Sequence, residues 1–422
     1  MNQYETEVLS EIFVEHGFET VSNSEMADVI LINSCTVTAE SDRKTRQAVR
    51  RFRTKNKNAV IVLTGCMAEA FPEDAAKIDD ADIIVGNTDL DKIYSLVDDF
   101  LKNKNRIIEV NKHENGESFN TRSIKGFSEH TRVFMKIQDG CDKYCTYCII
   151  PTARGPIRSK PIEEIRAEAE ALAKAGFLEV VLVGINLSSF GVDSDSTLAD
   201  AVEAVSIVKG IKRVRLGSIE PDLITDGTLD ALSQNKKFCP QFHLSLQSGS
   251  DKTLKRMNRH YDSAFYYDLV KRIRERFENP SITTDIMVGF AGEDNEEFEQ
   301  SLNFVQKIGF ARSHIFAYSR RKGTMAYNMP NQVTNAQKSE RSRRMIALTD
   351  NSEIEFLESQ IGKTAEVLFE TKQEGKYFGY TDNYTGVFVQ SQTDLCGTIQ
   401  RVKIIGVEDK NCIGEIIVAD TK

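Results

Sequence analysis

Gly140-Cys141-Asp142-Lys143-Tyr144-Cys145-Thr146-Tyr147-Cys148 places three cysteines within eight residues, directly after an apolar run from Arg132 to Gln138. Three thiolates so spaced can wrap one face of an iron–sulfur cube, leaving one iron to chelate a small molecule. A zinc knuckle would want a fourth ligand nearby, and no Cys or His occurs between Cys148 and Cys239; a fourth ligand from farther away is the alternative. The run before the cysteines is strand-like, and five more follow: Glu179 to Gly184, Arg213 to Ile219, Gln241 to Gln247, Ile282 to Phe290 and Arg312 to Ser319. Helical stretches such as Ile162 to Ala175, Leu198 to Val208, Ser263 to Phe277 and Glu296 to Ile308 alternate with them. Repeated βα units close into a barrel, and six rather than eight predict an open one with its site at the C-terminal strand ends.

On the amino-terminal side the helical Tyr4 to His16 precedes the strand Asp28 to Asn33, a basic helix from Ser41 to Thr54, the strand Ala59 to Thr64, a helical Pro72 to Ile78 and the strand Ala81 to Val85. This alternation predicts an α/β domain with a parallel sheet over residues 1–102, lacking the strand that would normally precede its first helix. A polar linker over 103–128 leads to the barrel at 129–360. From Gly362 onward five short strands, Thr364 to Phe369, Tyr377 to Tyr380, Val387 to Gln390, Ile399 to Val407 and Ile413 to Val418, predict a small β-barrel over 361–422. Barrels of this size commonly bind RNA, although an oligomerisation or lid module fits the same pattern.

The 422 residues carry 54 Lys and Arg against 63 Asp and Glu, a net charge of −9, with 40% hydrophobic and 28% charged residues, which excludes a disordered or collagen-like chain. No secretory signal or membrane-length apolar run is visible, so a cytoplasmic protein with reduced thiols is expected, in which clustered cysteines more often bind metal than pair. The overall charge argues against generalised nucleic-acid coating. Yet eight basic residues and no acidic one lie between Arg43 and Asn58, a local phosphate footprint or simply a solvated helix face. In Gln241 to Gln247 the alternate positions Gln241, His243, Ser245 and Gln247 are polar; with Asp285 and Glu220 they line a polar cavity or form a satisfied core network. Arg154 and Arg158 face an anionic substrate or are surface charges.

Cys141, Cys145 and Cys148 after the first strand of a six-unit barrel resemble the radical S-adenosylmethionine (SAM) enzymes. Ile137-Gln-Asp-Gly-Cys141, Cys148-Ile-Ile-Pro-Thr-Ala-Arg-Gly-Pro-Ile-Arg-Ser159, Gly217-Ser-Ile-Glu-Pro221, His243-Leu-Ser-Leu-Gln-Ser-Gly-Ser250 and Thr284-Asp-Ile-Met-Val-Gly-Phe290 resemble the methylthiotransferase branch, with Ala291 in place of a usual proline. The resemblance implies two 4Fe-4S clusters. Cys141, Cys145 and Cys148 would hold the SAM-binding one, and Cys35 and Cys66, each following a strand, would supply two of three ligands to an auxiliary one. It also implies SAM contacts from Tyr147, Gly184, Asn186, Glu220 and Gln247. Cys239, Cys396 and Cys412 are expected to be ordinary thiols. The third auxiliary ligand would lie in a Gly-Cys-Lys-x-Asn-Gln-Tyr-Glu-Thr type motif; the chain opens Met1-Asn2-Gln3-Tyr4-Glu5-Thr6, so that ligand is expected just upstream of Met1.

The branch modifies adenosine beside the tRNA anticodon, carrying an isopentenyl or a threonylcarbamoyl group, or an aspartate of ribosomal protein S12. The opening motif and Cys35-Thr-Val-Thr-Ala-Glu-Ser-Asp-Arg-Lys-Thr-Arg-Gln47 resemble the threonylcarbamoyladenosine group. The terminal barrel resembles the TRAM RNA-binding module. By resemblance, one SAM methylates a sulfur on the auxiliary cluster, and a second is reductively cleaved to a radical that activates carbon 2 of the adenine. The implied partners are the tRNA anticodon stem-loop and an electron donor such as flavodoxin; the sulfur donor is not indicated. A non-catalytic, metal-containing RNA-binding protein is the contrasting expectation.

Overall fold

The computed structural model describes residues 2–88, 90–114, 116–120, 122 and 131–417. The chain packs as two compact units: Met1–Ile124 with Gln138–Lys160 and Ser319–Asn328, and Lys125–Ile137 with Pro161–Tyr318 and Met329–Lys422.

In the first unit the helix Asn2–Glu15 precedes a parallel sheet of β1 (Val29–Ser34), β2 (Val60–Gly65), β3 (Ile83–Val85) and β4 (Ile107–Glu109), in that spatial order. Every residue of β2 is buried, as expected of a central parallel strand covered on both faces. Val49 of the basic helix Ala39–Lys55 packs with Ile61, Leu63, Met67 and Ile84 in one core. β4 falls in the stretch expected as linker: Ile107 and Ile108 extend the sheet beyond Val85, so a three-residue strand embedded in polar sequence escapes a periodicity test. Residues 115, 121 and 123–128 of that expected linker lie outside the described residues. The same unit contains the end of β5 (Arg132–Asp139), where Gln138 and Asp139 pair antiparallel with β6 (Arg158–Ser159).

In the second unit the predicted βα units are present. β5, β7 (Glu179–Gly184) and β8 (Arg213–Leu216) lie in one sheet, and β9 (Ser218–Ile219), β10 (Gln241–Leu244), β11 (Ser281–Val288) and β12 (Arg312–Ala317) form a second, wholly parallel one. β8 and β9 are one sequence run interrupted at Gly217. The run expected from Gln241 to Gln247 ends as strand at Leu244. Beyond it the Tyr261 hydroxyl donates to Leu246 O at 2.8 Å, and Gln247 adopts φ +65°. The polar alternation therefore does not continue as regular strand.

After the helix Asn335–Glu358, β13 (Thr364–Gln373), β14 (Lys376–Thr381), β15 (Gly386–Val389), β16 (Ile399–Glu408) and β17 (Asn411–Ile416) close into a barrel in the order β13-β14-β15-β17-β16. Val367, Phe369, Val387, Val389, Val402, Ile404 and Cys412 fill it. Val418, expected at the end of the last strand, lies outside the described residues. This barrel packs on charged residues at the start of the βα strands within the same unit. Arg213 donates to Tyr380 O and Glu366 O at 3.1 and 2.7 Å, and Arg215 to Asp382 O and Thr381 O at 2.8 and 3.2 Å. Tyr384 stacks on Tyr380 with ring centroids 4.4 Å apart, and the guanidinium groups of Arg132 and Arg215 lie 4.8 Å from the Tyr384 ring centroid. Glu179, 1% exposed, accepts from Arg215 at 2.9 Å.

Candidate functional site

The site is built in the first unit by strand ends. Ser34 and Gly65 are paired across β1 and β2, so the next residues, Cys35 and Cys66, leave adjacent parallel strands at the same level. Gly65 makes the turn: its φ is +92°, and a Cβ there would come within 2.5 Å of Ser34 O. Cys66 opens the helix Cys66–Ala70, whose Met67 N–H donates to Ser34 Oγ at 3.1 Å. After Cys35 the chain is turned by Thr38, which caps the basic helix by accepting from Ser41 N.

Cys141, Cys145 and Cys148 lie on the loop leaving β5. Its start is held by Cys141 N–H donating to Gly155 O at 3.1 Å and by Gly140 at φ +76°, whose added Cβ would sit 1.7 Å from Pro156 O. Cys148 N–H donates to Cys145 O at 2.9 Å, and Tyr144 between the cysteines adopts φ +47°. All three cysteines are partly exposed, whereas Cys239 and Cys412 are buried and Cys396 is exposed. Burial pushes the Cys239 thiol up to about 12 and the Cys412 thiol up to about 11, as befits inert packing groups. No cysteine is in a disulfide.

The helix Ile150–Arg154, which follows Cys148, packs on the helix that begins at Cys66. Arg154 closes this contact and is 1% exposed. Its Nε donates to Cys66 Sγ at 3.2 Å, Nη2 donates to Glu5 at 2.9 Å, Nη1 makes a second bond to the same carboxylate, and Asp139 lies 3.6 Å away. Burial alone would lower the Arg154 pKa, but Glu5, Cys66 and Asp139 raise it well above the ordinary value, so it stays charged. Burial pushes the Cys66 thiol up, and Arg154 opposes it.

Arg158, also buried, donates to Arg154 O at 2.9 Å and pairs with Glu117 at 3.2 Å. Neither arginine is therefore a surface charge. A further buried arginine, Arg321, pairs with Asp42 at 2.5 Å, bonds Thr36 beside Cys35, and lies 4.4 Å from the Phe71 ring centroid.

Tyr147 belongs to this unit; the other expected SAM contacts belong to the second. Gly184 ends β7, Asn186 follows it, Glu220 follows β9 and Gln247 follows β10. All four thus sit at the C-terminal ends of successive strands, where this architecture builds its sites. Asn186 is buried and donates to Ser189 Oγ at 2.6 Å, while Glu220 is paired with Arg259. Motif reading missed the partners Glu5, Arg321 and Arg259. Glu5 had a signal, its place in the opening motif; Arg321 had none beyond a basic dipeptide.

The profile described as the Radical SAM superfamily matches residues 135–305, and that of Uncharacterized protein family UPF0004 matches residues 1–86. Threonylcarbamoyladenosine tRNA methylthiotransferase MtaB of Bacillus subtilis (strain 168) is 37% identical over 412 residues, covering 96% of this chain and 91% of the relative. The chain belongs to the radical SAM methylthiotransferase family. Another relative, tRNA-2-methylthio-N(6)-dimethylallyladenosine synthase of Pelotomaculum thermopropionicum, is 33% identical over 417 residues, covering 96% of this chain and 93% of that one.

Among solved structures, the radical SAM methyltransferase TsrM from Kitasatospora setae with cobalamin and [4Fe-4S] cluster bound superposes with a TM-score of 0.59 over 77% of this chain and 74% of that one, at 13% identity. This likeness concerns the fold alone. Membership in the radical SAM methylthiotransferases implies a 4Fe-4S cluster and SAM, and the residues fit: three partly exposed thiols share one loop whose backbone is pinned by Gly140 and Gly155. Among the described residues no helix is long and apolar enough to cross a membrane.

Proposed function

We propose that this enzyme transfers a methylthio group to carbon 2 of N6-threonylcarbamoyladenosine beside the anticodon of tRNA, acting in the cytoplasm with two 4Fe-4S clusters. Cys141, Cys145 and Cys148 hold the SAM-binding cluster, and Cys35 and Cys66 supply two of the three ligands of the auxiliary one. When bound, the clusters and SAM supply the one-electron and methyl-transfer chemistry. The polypeptide supplies position. Tyr147 flanks the adenine of SAM, and Gly184, Asn186, Glu220 and Gln247 contact the rest of it from the strand ends. Residues 1–102 form the methylthiotransferase domain, 129–360 the radical SAM barrel and 361–422 a TRAM-like module that grips RNA. A flavodoxin-type protein delivers electrons.

The observation that carries this reading is the arrangement within the first unit, where the helix following Cys148 packs on the helix beginning at Cys66, and Cys35 lies one strand away. The substrate assignment draws support from the 37% identical Bacillus subtilis relative and the opening Asn2-Gln3-Tyr4-Glu5-Thr6. Deleting the gene and analysing tRNA nucleosides by mass spectrometry tests it. Loss of 2-methylthio-threonylcarbamoyladenosine is expected, restored by the wild-type gene and not by Cys145→Ala. Loss of the isopentenyladenosine derivative, or of methylthio-aspartate in S12, would assign the enzyme to another substrate.

A further inference from the structure

We propose that Arg154 is a positioning residue of the auxiliary cluster, donating from Nε–H to the Cys66 sulfur and so setting that cluster's reduction potential; this rests on Cys66 being one of its ligands. The guanidinium is a planar fork, and Glu5 takes both terminal nitrogens, which fixes the plane and leaves Nε aimed at Sγ at 3.2 Å. A carboxylate that orients a donor, which in turn orients a metal ligand, is how proteins aim ligands from the next shell out.

The ion pair does not need the sulfur to be satisfied, since Glu5 and Asp139 already neutralise the charge. A purely packing role would be met as well by apolar side chains of similar volume. Arg154 instead aims an N–H donor at one thiol. Hydrogen bonds to ligating sulfurs and local charge are among the determinants of cluster potential. A hydrogen bond to the sulfur favours the reduced, more negative cluster, so Arg154 raises the potential. Because Arg154 ends the helix that follows Cys148, the residue that tunes one cluster is carried by the segment that binds the other.

The test uses the full-length protein reconstituted anaerobically with iron and sulfide, and reads iron content, electron paramagnetic resonance and a redox titration of each cluster. Arg154→Gln should shift the auxiliary potential to more negative values, or selectively abolish that signal, while the potential of the Cys141, Cys145, Cys148 cluster stays at the parent value. Arg154→Gln strands the buried Glu5 carboxylate and could misfold for that reason alone. The double variant Glu5→Gln/Arg154→Gln removes both charges and should show the same selective shift. Unchanged auxiliary potential in both variants overturns the proposal, as does equal loss of both signals in the charge-neutral double variant, which marks a purely structural role. Cys66→Ala separates the two layers: it should lose about half of the iron, and full retention would show that Cys66 is no ligand, whatever Arg154 does.

Discussion

Glu179 shows what a single side chain can hold together. Burial would raise its pKa, but Arg215, through charge and a hydrogen bond, with Arg213 and Arg132 behind it, brings the value below the usual carboxylate range. A carboxylate with a depressed folded-state pKa contributes stability that is fully present above its unfolded value, ~4.3, and is lost as the pH falls through the lower folded value. Urea unfolding at several pH values should therefore show wild type more stable than Glu179→Gln by a constant margin above pH ~5. That margin should narrow only below pH ~4.3; a margin that is flat down to pH 2 would contradict this. Glu179→Ala should cost about 3–5 kcal/mol, because two buried arginines lose their counter-charge.

At the scale of elements, the helix Ala39–Lys55 keeps one apolar edge in the core through Val49, and its remaining basic residues divide by role. Arg53 is spent on Asp82 at 2.5 Å and on the Asp80 and Ala59 carbonyls, and Arg43 on Glu40. Lys44, Arg50 and Arg51 are exposed and remain available for phosphates. Lys44→Glu/Arg50→Glu should weaken tRNA binding and lower the slope of log affinity against log salt by roughly 0.7–0.9 for each contact removed. Filter binding at several salt concentrations measures this, and an unchanged slope would exclude the helix from the RNA interface.

The strands around this helix were legible because apolar runs bounded by turn residues are local signals, and the cysteine loop because three thiols within eight residues need no long-range knowledge. Cys35 and Cys66 could be aligned from the ends of two predicted strands. The Glu5–Arg154 pair could not, since its members are 149 residues apart and no local period encodes their meeting. β4 and β6 were missed for the opposite reason: three and two residues are too few for any period to show.

At the scale of the whole molecule, the terminal barrel is not a tethered accessory of the second unit. Four of its backbone carbonyls accept hydrogen bonds from Arg213 and Arg215, and Tyr384, held at φ +66°, is flanked by Arg132 and Arg215. Truncation after Gln360 should therefore lower the thermal midpoint of the remaining protein as well as its RNA affinity. Scanning calorimetry that found the midpoint unchanged would show the barrel to be thermodynamically independent. Tyr384→Ala in the intact chain should reproduce part of the loss, because the stacked ring and its cation contacts are worth about 0.5–2 kcal/mol apiece.

The first unit is assembled from three separate stretches, the last of them Ser319–Asn328, which brings Arg321 to Thr36 beside Cys35. On a ribosome adding about 5–20 residues per second, the roughly 200 residues between the first and last stretches take about 10–40 s to make. Throughout that interval Cys35 and Cys66 have left the ribosome without the arginine that finishes their surroundings. Under the proposed ligation, loading at Cys35 and Cys66 waits until Ser319–Asn328 has emerged, and until then the nascent chain must keep both thiols reduced.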